Sequence, residues 1–302
     1  MRILLSMILL TVMIASSVFV ASSEARTKEK NVVYLPNGTK KIPNLYYAQT
    51  SDIFQTLDLY LPARAEKPYP VIVWIHGGNW MSGDKGTGCI PARDMSDEFA
   101  VASVNYRLSI EAPFPAQIHD LKAAIRFLRA NAKRFGIDPN RIGVWGSSAG
   151  GHLAALLGTT GDVKELEGNV GIRQGSSRVQ AVCDWCGPTN FVSAQTQAGP
   201  HIKLAYKGPA SPVYNLMGMR MDAQSLAAAS PVTYISREDP PFLIMHGAKD
   251  DAVPLAQSVE LDEALKKENI PSKLIVLKNK GHYFDGAKMS QTVRQFFRDN
   301  LK

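Results

Sequence analysis

Beyond residue 30 the apolar positions follow two rhythms that alternate along the chain. Residues 71–75 and 100–106 are short, nearly continuous apolar runs, the pattern of strands covered on both faces. Residues 116–135 carry Ile118, Leu121, Ile125, Leu128 and Ala132 three to four positions apart, one stripe along a half-buried helix. Gly136 ends that stripe, and Asp138-Pro139-Asn140 turns the chain. The succession then repeats, with strands expected at 141–145, 179–184, 242–245 and 273–277 and helices at 149–157, 255–268 and 287–300. Two earlier strands, 31–35 and 56–61, read as an antiparallel lead-in, the second from the alternation of Leu57, Leu59 and Leu61. Strands and helices alternating at this spacing predict an α/β fold, a mostly parallel central sheet with helices on both faces. Residues 187–236 are rich in Gly, Pro, Ser and Ala and show no period, so they are expected as an insertion above the sheet, part lid and part substrate wall.

The first residues break this pattern. Arg2 is followed by a nearly unbroken apolar run over residues 3–20 and then by Ala21, Ser22, Ser23 and Ala25, the order of a secretory signal peptide. An uncleaved membrane anchor is the competing reading, because the run is near bilayer-spanning length. The small residues behind it favour cleavage after Ala25, with Ser23 as the alternative, and no stable membrane insertion of what remains. The expected organisation is a signal peptide at 1–25 and one catalytic domain at 26–302, in a secreted or periplasmic protein. No low-complexity linker divides the 302 residues. The net charge is +7, but the basic residues are scattered and not interleaved with aromatics, so no nucleic-acid partner is implied. The three cysteines, Cys89, Cys183 and Cys186, leave at least one thiol unpaired. Cys183 and Cys186 have C-x-x-C spacing, yet they close a strand and lack a second ligand pair, so a structural role, or a local or Cys89-linked bridge, is expected ahead of a redox motif or a zinc site.

Chemistry enters at Gly146-Ser147-Ser148-Ala149-Gly150, a G-x-S-x-G pattern between an expected strand and an expected helix. Such a turn is tight enough to hold its central serine, Ser148, in a strained conformation with Oγ exposed above the sheet. A serine hydroxyl needs a base and a partner that orients the base. Downstream, a buried strand runs into a loop with Asp250 and Asp251, and after the last strand comes Gly281-His282, the one histidine of six so placed. The order serine, acid, histidine is that of the α/β-hydrolase fold. Backbone donors for an oxyanion are expected from Ala149 and from His76-Gly77-Gly78-Asn79-Trp80, with Gly78 and Asn79 as the donors. His76 is read as a brace for that loop. Trp80, Trp185 and Phe191 flank these loops and are candidates for the substrate wall, packing without substrate contact being the alternative.

These motifs together resemble the hormone-sensitive-lipase-related esterases. The carriers are His76–Trp80 with Ser82-Gly83-Asp84-Lys85, the Gly146–His152 segment, His246-Gly-x-x-Asp-x-x-Val-Pro, and Gly281-His282. Residues 57–62, Asn105-Tyr106-Arg107-Leu108, and Asp184-Trp185 with Gly187-Pro188-Thr189 resemble the bacterial feruloyl-esterase-like (acetylxylan/carboxylesterase) branch. The resemblance implies an α/β-hydrolase with a Ser148, His282, Asp250 triad, Asp250 being the acid of the Asp-x-x-Val-Pro pattern and Asp251 the fallback. It implies no metal and no cofactor. Asn79 stands where the family usually has a third glycine, which keeps a backbone donor and narrows the pocket. The N-terminal cap of the lipases is not expected, which suits bulky or polymeric esters. Asp58, Arg107 and Asp120 are expected to brace loops. A general short-chain carboxylesterase is the main competing function. A prolyl-oligopeptidase-like peptidase and a non-catalytic glycan-binding protein on the same fold fit less well, since no large N-terminal domain precedes the sheet and none of the expected catalytic residues is missing.

Overall fold

The computed structural model describes residues 32–63, 66, 68–161 and 163–302. The signal-peptide segment lies outside the described residues. In chain order the elements are β1 (Val33–Tyr34), β2 (Lys40–Tyr46), β3 (Thr56–Leu61), β4 (Tyr69–Ile75), α1 (Ile90–Asp94), β5 (Ala100–Val104), α2 (Ala116–Ala130), α3 (Ala132–Phe135), β6 (Ile137–Ser147) and α4 (Ala149–Thr159). There follow β7 (Ala181–Trp185), α5 (Phe191–Gln197), α6 (Pro212–Leu216), α7 (Ala223–Ala228), β8 (Phe242–Gly247), α8 (Leu255–Lys267), β9 (Ser272–Leu277) and α9 (Ala287–Asn300).

The strands form one sheet in the order β1-β2-β3-β5-β4-β6-β7-β8-β9. The lead-in is antiparallel from β1 to β5, and every pairing from β5 to β9 is parallel. The continuous apolar runs resolve into two faces because successive side chains in a strand point opposite ways. Val71, Val73 and Ile75 join the core shared with Leu121, Ile125 and Leu128 of α2, Leu153 and Leu157 of α4, and Leu261 and Leu265 of α8. Ile72 and Trp74 face the other core, with Met95, Phe99 and, from α9, Val293 and Phe297. Helices therefore cover both sides, as the alternation of elements requires.

From β4 the chain crosses to β5 on one side, whereas β6 pairs on the other. At such a reversal the loops leaving the carboxyl ends of neighbouring strands diverge and open a crevice. The loops after β4 and β6 flank this one, and those after β8 and β9 lie along the same end of the sheet. Among the described residues no helix is long and apolar enough to cross a membrane.

Three expectations change. The long helix 116–135 is two helices, because Asn131 ends α2 with its backbone N–H donating to Phe127 and begins α3. The insertion at 187–236 contains three short helices, capped by Asn190, Ser211 and Asp222 side chains on backbone N–H groups. Their apolar residues Phe191, Val213, Leu216 and Leu226 pack into the main core, so these helices are anchored to the body of the fold. All three cysteines are free, and the bridge considered for Cys183 or Cys186 is not formed.

Candidate active site

Ser148 stands between the last residue of β6 and the first of α4, with φ +58° and ψ −122°. This region is costly for a side chain with a Cβ, and the surrounding packing imposes it. A Cβ at Gly146 would lie 2.0 Å from the Gly150 carbonyl oxygen, and one at Gly150 would lie 2.1 Å from that of Ile75. Only glycine lets strand, helix and the end of β4 meet this closely. The Ser148 N–H is held by the Trp185 carbonyl at 2.8 Å, which fixes the turn to β7.

From this turn Ser148 Oγ lies 2.9 Å from His282 Nε2, and His282 Nδ1 lies 2.8 Å from Asp250 Oδ2. With the Nδ1–H donating to the carboxylate, Nε2 is left as an acceptor aimed at the serine hydroxyl. Asp250 is saturated with donors: the Ala252 and Val253 N–H groups each reach Oδ1 at 2.8 Å, and His246 Nε2 lies 3.1 Å from Oδ2. Burial pushes this carboxyl up, but the hydrogen bonds from His246 and His282 outweigh it and hold it well below the usual carboxylate range. Asp251 is elsewhere, paired with Lys203 Nζ at 2.5 Å. The geometry thus brings together Ser148, His282 and Asp250, and leaves Asp251 out.

Sequence reasoning passed over His246. Its Nδ1 accepts from Ser258 Oγ at 2.7 Å while its Nε2–H is shared between the Val253 carbonyl at 3.0 Å and Asp250. Its place on β8 four residues before Asp250 was the available signal.

On the other side of Ser148, Gly78 has φ +108° and Asn79 φ +55°. This turn is closed by the Met81 and Ser82 N–H groups, both donating to the Gly78 carbonyl at 3.0 Å. Among the described residues, the N–H groups of Gly78, Asn79 and Ala149 donate to no protein acceptor. Ala149 also opens α4, so its N–H carries the positive end of the helix dipole. His76 braces the loop as expected: its ring stacks on Tyr106 at 4.5 Å, and the Tyr106 hydroxyl donates to the His76 carbonyl at 3.0 Å. Asp58 and the Arg107–Asp120 pair also sit in structural roles, Asp120 receiving both the Arg107 guanidinium and its backbone N–H.

The three aromatic residues expected on the substrate wall are core residues instead. Trp80, Trp185 and Phe191 are each 1% exposed, and none lines the cavity over Ser148. Trp80 turns inward because its indole N–H has a partner there, donating to His152 Nδ1 at 3.1 Å, while Phe191 packs against both rings. His152 Nε2 in turn donates to the Ala229 carbonyl at 2.7 Å. With both nitrogens engaged as in a neutral ring, burial lowers the His152 pKa to about 4. Trp185 packs between Trp145 and Phe284.

The cavity over Ser148 measures about 870 Å³. The buried Trp74 and Phe284 and the half-buried Cys89 and Ile90 line it, and Lys203 and Leu204 from the insertion stand on its wall with Asp251. Among the described residues, Cys186, Asp250 and His282 are one group whose donor atoms, within 4.8 Å of one another, would suit a metal ion. Two of them are already bonded to each other, and burial pushes the Cys186 thiol well up.

The BD-FAE family model matches residues 57–265, which include the strand-to-helix turn and Asp250 but end before His282. The esterase LipQ of Mycobacterium tuberculosis is 31% identical over 280 residues, covering 87% of this chain; the chain spans 62% of that relative's length. Among solved structures, a truncated form of a carbohydrate esterase from gut microbiota superposes with a TM-score of 0.79 at 33% identity, covering 86% of this chain and 95% of the other. A bifunctional GH43-CE protein of Bacteroides eggerthii superposes with a TM-score of 0.78 at 35% identity, over 87% of this chain and 35% of its own. The chain belongs to the BD-FAE family and has the α/β-hydrolase fold.

Proposed function

We propose that this protein is an exported serine esterase that hydrolyses acetyl or feruloyl esters of polysaccharides through Ser148, His282 and Asp250. His282 Nε2 takes the Ser148 proton as Oγ attacks the ester carbonyl, and Asp250 holds the imidazole in the tautomer that can accept it. The N–H groups of Gly78, Asn79 and Ala149 stabilise the oxyanion of the tetrahedral intermediate. The protonated His282 then gives its proton to the departing alcohol, and water attacking the acyl-enzyme by the same route in reverse releases the acid. The observation that carries this reading is the unbroken series Ser148 Oγ, His282, Asp250 at 2.9 and 2.8 Å, beginning at a strained turn that opens into the cavity. Export is supported by the apolar leader. The carbohydrate part is supported by the two solved neighbours, a carbohydrate esterase and a GH43-CE protein.

A general short-chain carboxylesterase is the second reading, favoured by LipQ, which is named only as an esterase. Initial rates on p-nitrophenyl acetate, butyrate and octanoate beside acetylated xylan and methyl ferulate separate the two, with Ser148→Ala as the control. The proposal expects Ser148-dependent turnover of acetylated xylan or methyl ferulate, and among the aryl esters the fastest turnover of the acetate. Ser148-dependent turnover confined to the simple aryl esters would replace it with the second reading.

A further inference from the structure

The cavity over Ser148 is graded. At depth it is apolar and buried, with Trp74 3% and Phe284 8% exposed. At the mouth it changes character. Lys203, Lys280 and Asp285 are exposed there, and charge is largely paired, Arg93 with Asp285 at 3.3 Å and Lys203 with Asp251 at 2.5 Å. Among these groups stands Tyr283, a large ring that is 89% exposed and lines the same cavity. Its centroid is 5.1 Å from that of His282, with the two planes at 74°.

A tyrosine this bare leaves its apolar face against water. The inward-facing neighbour on the same loop, Phe284, shows that the loop places one aromatic residue in the core and presents the next outward. The alcohol side of an ester attacked at Ser148 leaves past His282, which must protonate it, so the group that follows the ester oxygen lies at Tyr283. A flat ring face beside paired charges matches a pyranose: the C–H face of the sugar covers the ring while its hydroxyls meet the carboxylates and ammonium groups. A long alkyl alcohol would instead desolvate these charges without hydrogen bonds to replace water.

We infer that Tyr283 is the platform for the sugar that carries the ester, with the acyl group in the recess of Trp74, Cys89, Ile90 and Phe284. This assignment rests on the esterase reading above and makes the alcohol side, not the acyl side, the place where carbohydrate is selected.

The test uses two acetates that differ only in the alcohol, xylose tetraacetate and ethyl acetate, followed by acid release with the full chain. Tyr283→Ala is expected to lower kcat/KM for xylose tetraacetate by about five-fold, through KM, since a lost stacking contact is worth roughly 1 kcal/mol and about 1.4 kcal/mol is ten-fold. For ethyl acetate the change stays within about two-fold, and Tyr283→Phe behaves as the parent on both. Equal losses on the two acetates would mean that the ring only positions His282, and an unchanged sugar acetate would mean that it does nothing for the alcohol; either result overturns the assignment. Failure of the esterase reading looks different, as the absence of any Ser148-dependent hydrolysis of either acetate in the unsubstituted protein.

Discussion

At the scale of single residues, the proposed triad depends on how completely Asp250 is supplied with donors. Four groups converge on its two oxygens, and His246 is the one that belongs to neither the Asp250 loop nor the expected triad. His246 is a positioning residue: it holds the carboxylate in line with His282 Nδ1 and touches no reacting atom. Replacing His246 with Ala should reduce kcat by about ten- to a hundred-fold and leave KM unchanged, because a hydrogen bond to a charged group is worth roughly 1.5–3 kcal/mol. Steady-state kinetics on p-nitrophenyl acetate reads both constants. A rise in KM with kcat intact would show that His246 shapes the cavity instead. The motif around Asp250 was legible in the sequence, since the acid precedes Val-Pro on a loop after a buried strand. The role of His246 was marked only by its spacing of four from Asp250, which becomes a contact because the chain turns back after β8.

At the scale of elements, the loop after β4, helix α4 and the insertion are joined through one buried histidine. Trp80 comes from the first, His152 from the second, and the Ala229 carbonyl and Phe191 from the third. Trp80→Phe keeps a ring and leaves His152 Nδ1 buried without a donor, so it should destabilise the protein by about 1–3 kcal/mol. Thermal unfolding measures this, and an unchanged melting temperature would contradict the link. The same cluster explains why the aromatic residues near the loops misled sequence reasoning. Proximity along the chain places a ring beside the site, but which way it turns depends on whether its N–H finds an acceptor inside, and that acceptor is 72 residues away. The strands over 71–75 and 56–61 and the helix over 287–300 were legible because their periods are long and unbroken. The strand β2 was not, because Pro43 and Asn44 interrupt it where its register shifts against β3. The short helices of the insertion were hidden for a related reason: with five to seven residues each, they are too short to show a period and are marked only by their caps.

At the scale of the whole molecule, two buried groups set opposing dependences of stability on pH. Burial lowers His152 from 6.5 to about 4. The unfolded chain therefore binds more protons between those values, so this contribution is full above pH 6.5 and is lost as pH falls toward 4. Asp184, beneath the turn at Ser148, is fully buried, with one oxygen receiving the Gly187 N–H at 2.9 Å and the other without a protein donor. Burial raises it from 3.8 to about 6, against the pull of Gly187 and His246. Its contribution is present below pH 3.8 and is lost as pH rises through 6. Each amounts to about 3 kcal/mol over its window, so they largely cancel between pH 4 and 6. Urea midpoints at pH 4, 5, 6 and 7 should be flatter for the parent than for either variant. Asp184→Asn should gain stability with rising pH, and His152→Asn should lose it. Parallel curves for all three proteins would show that neither group is linked to folding.

In the proposed reaction one serine, Ser148, is activated by His282. Labelling with a fluorophosphonate, followed by mass spectrometry of the peptides and by residual activity on p-nitrophenyl acetate, tests it most directly. One adduct per chain is expected, on Ser148, with activity falling in step with labelling and no adduct on the Ser148→Ala protein. Activity that survives complete labelling of Ser148, or an adduct on another residue that abolishes it, would show that Ser148 is not the nucleophile.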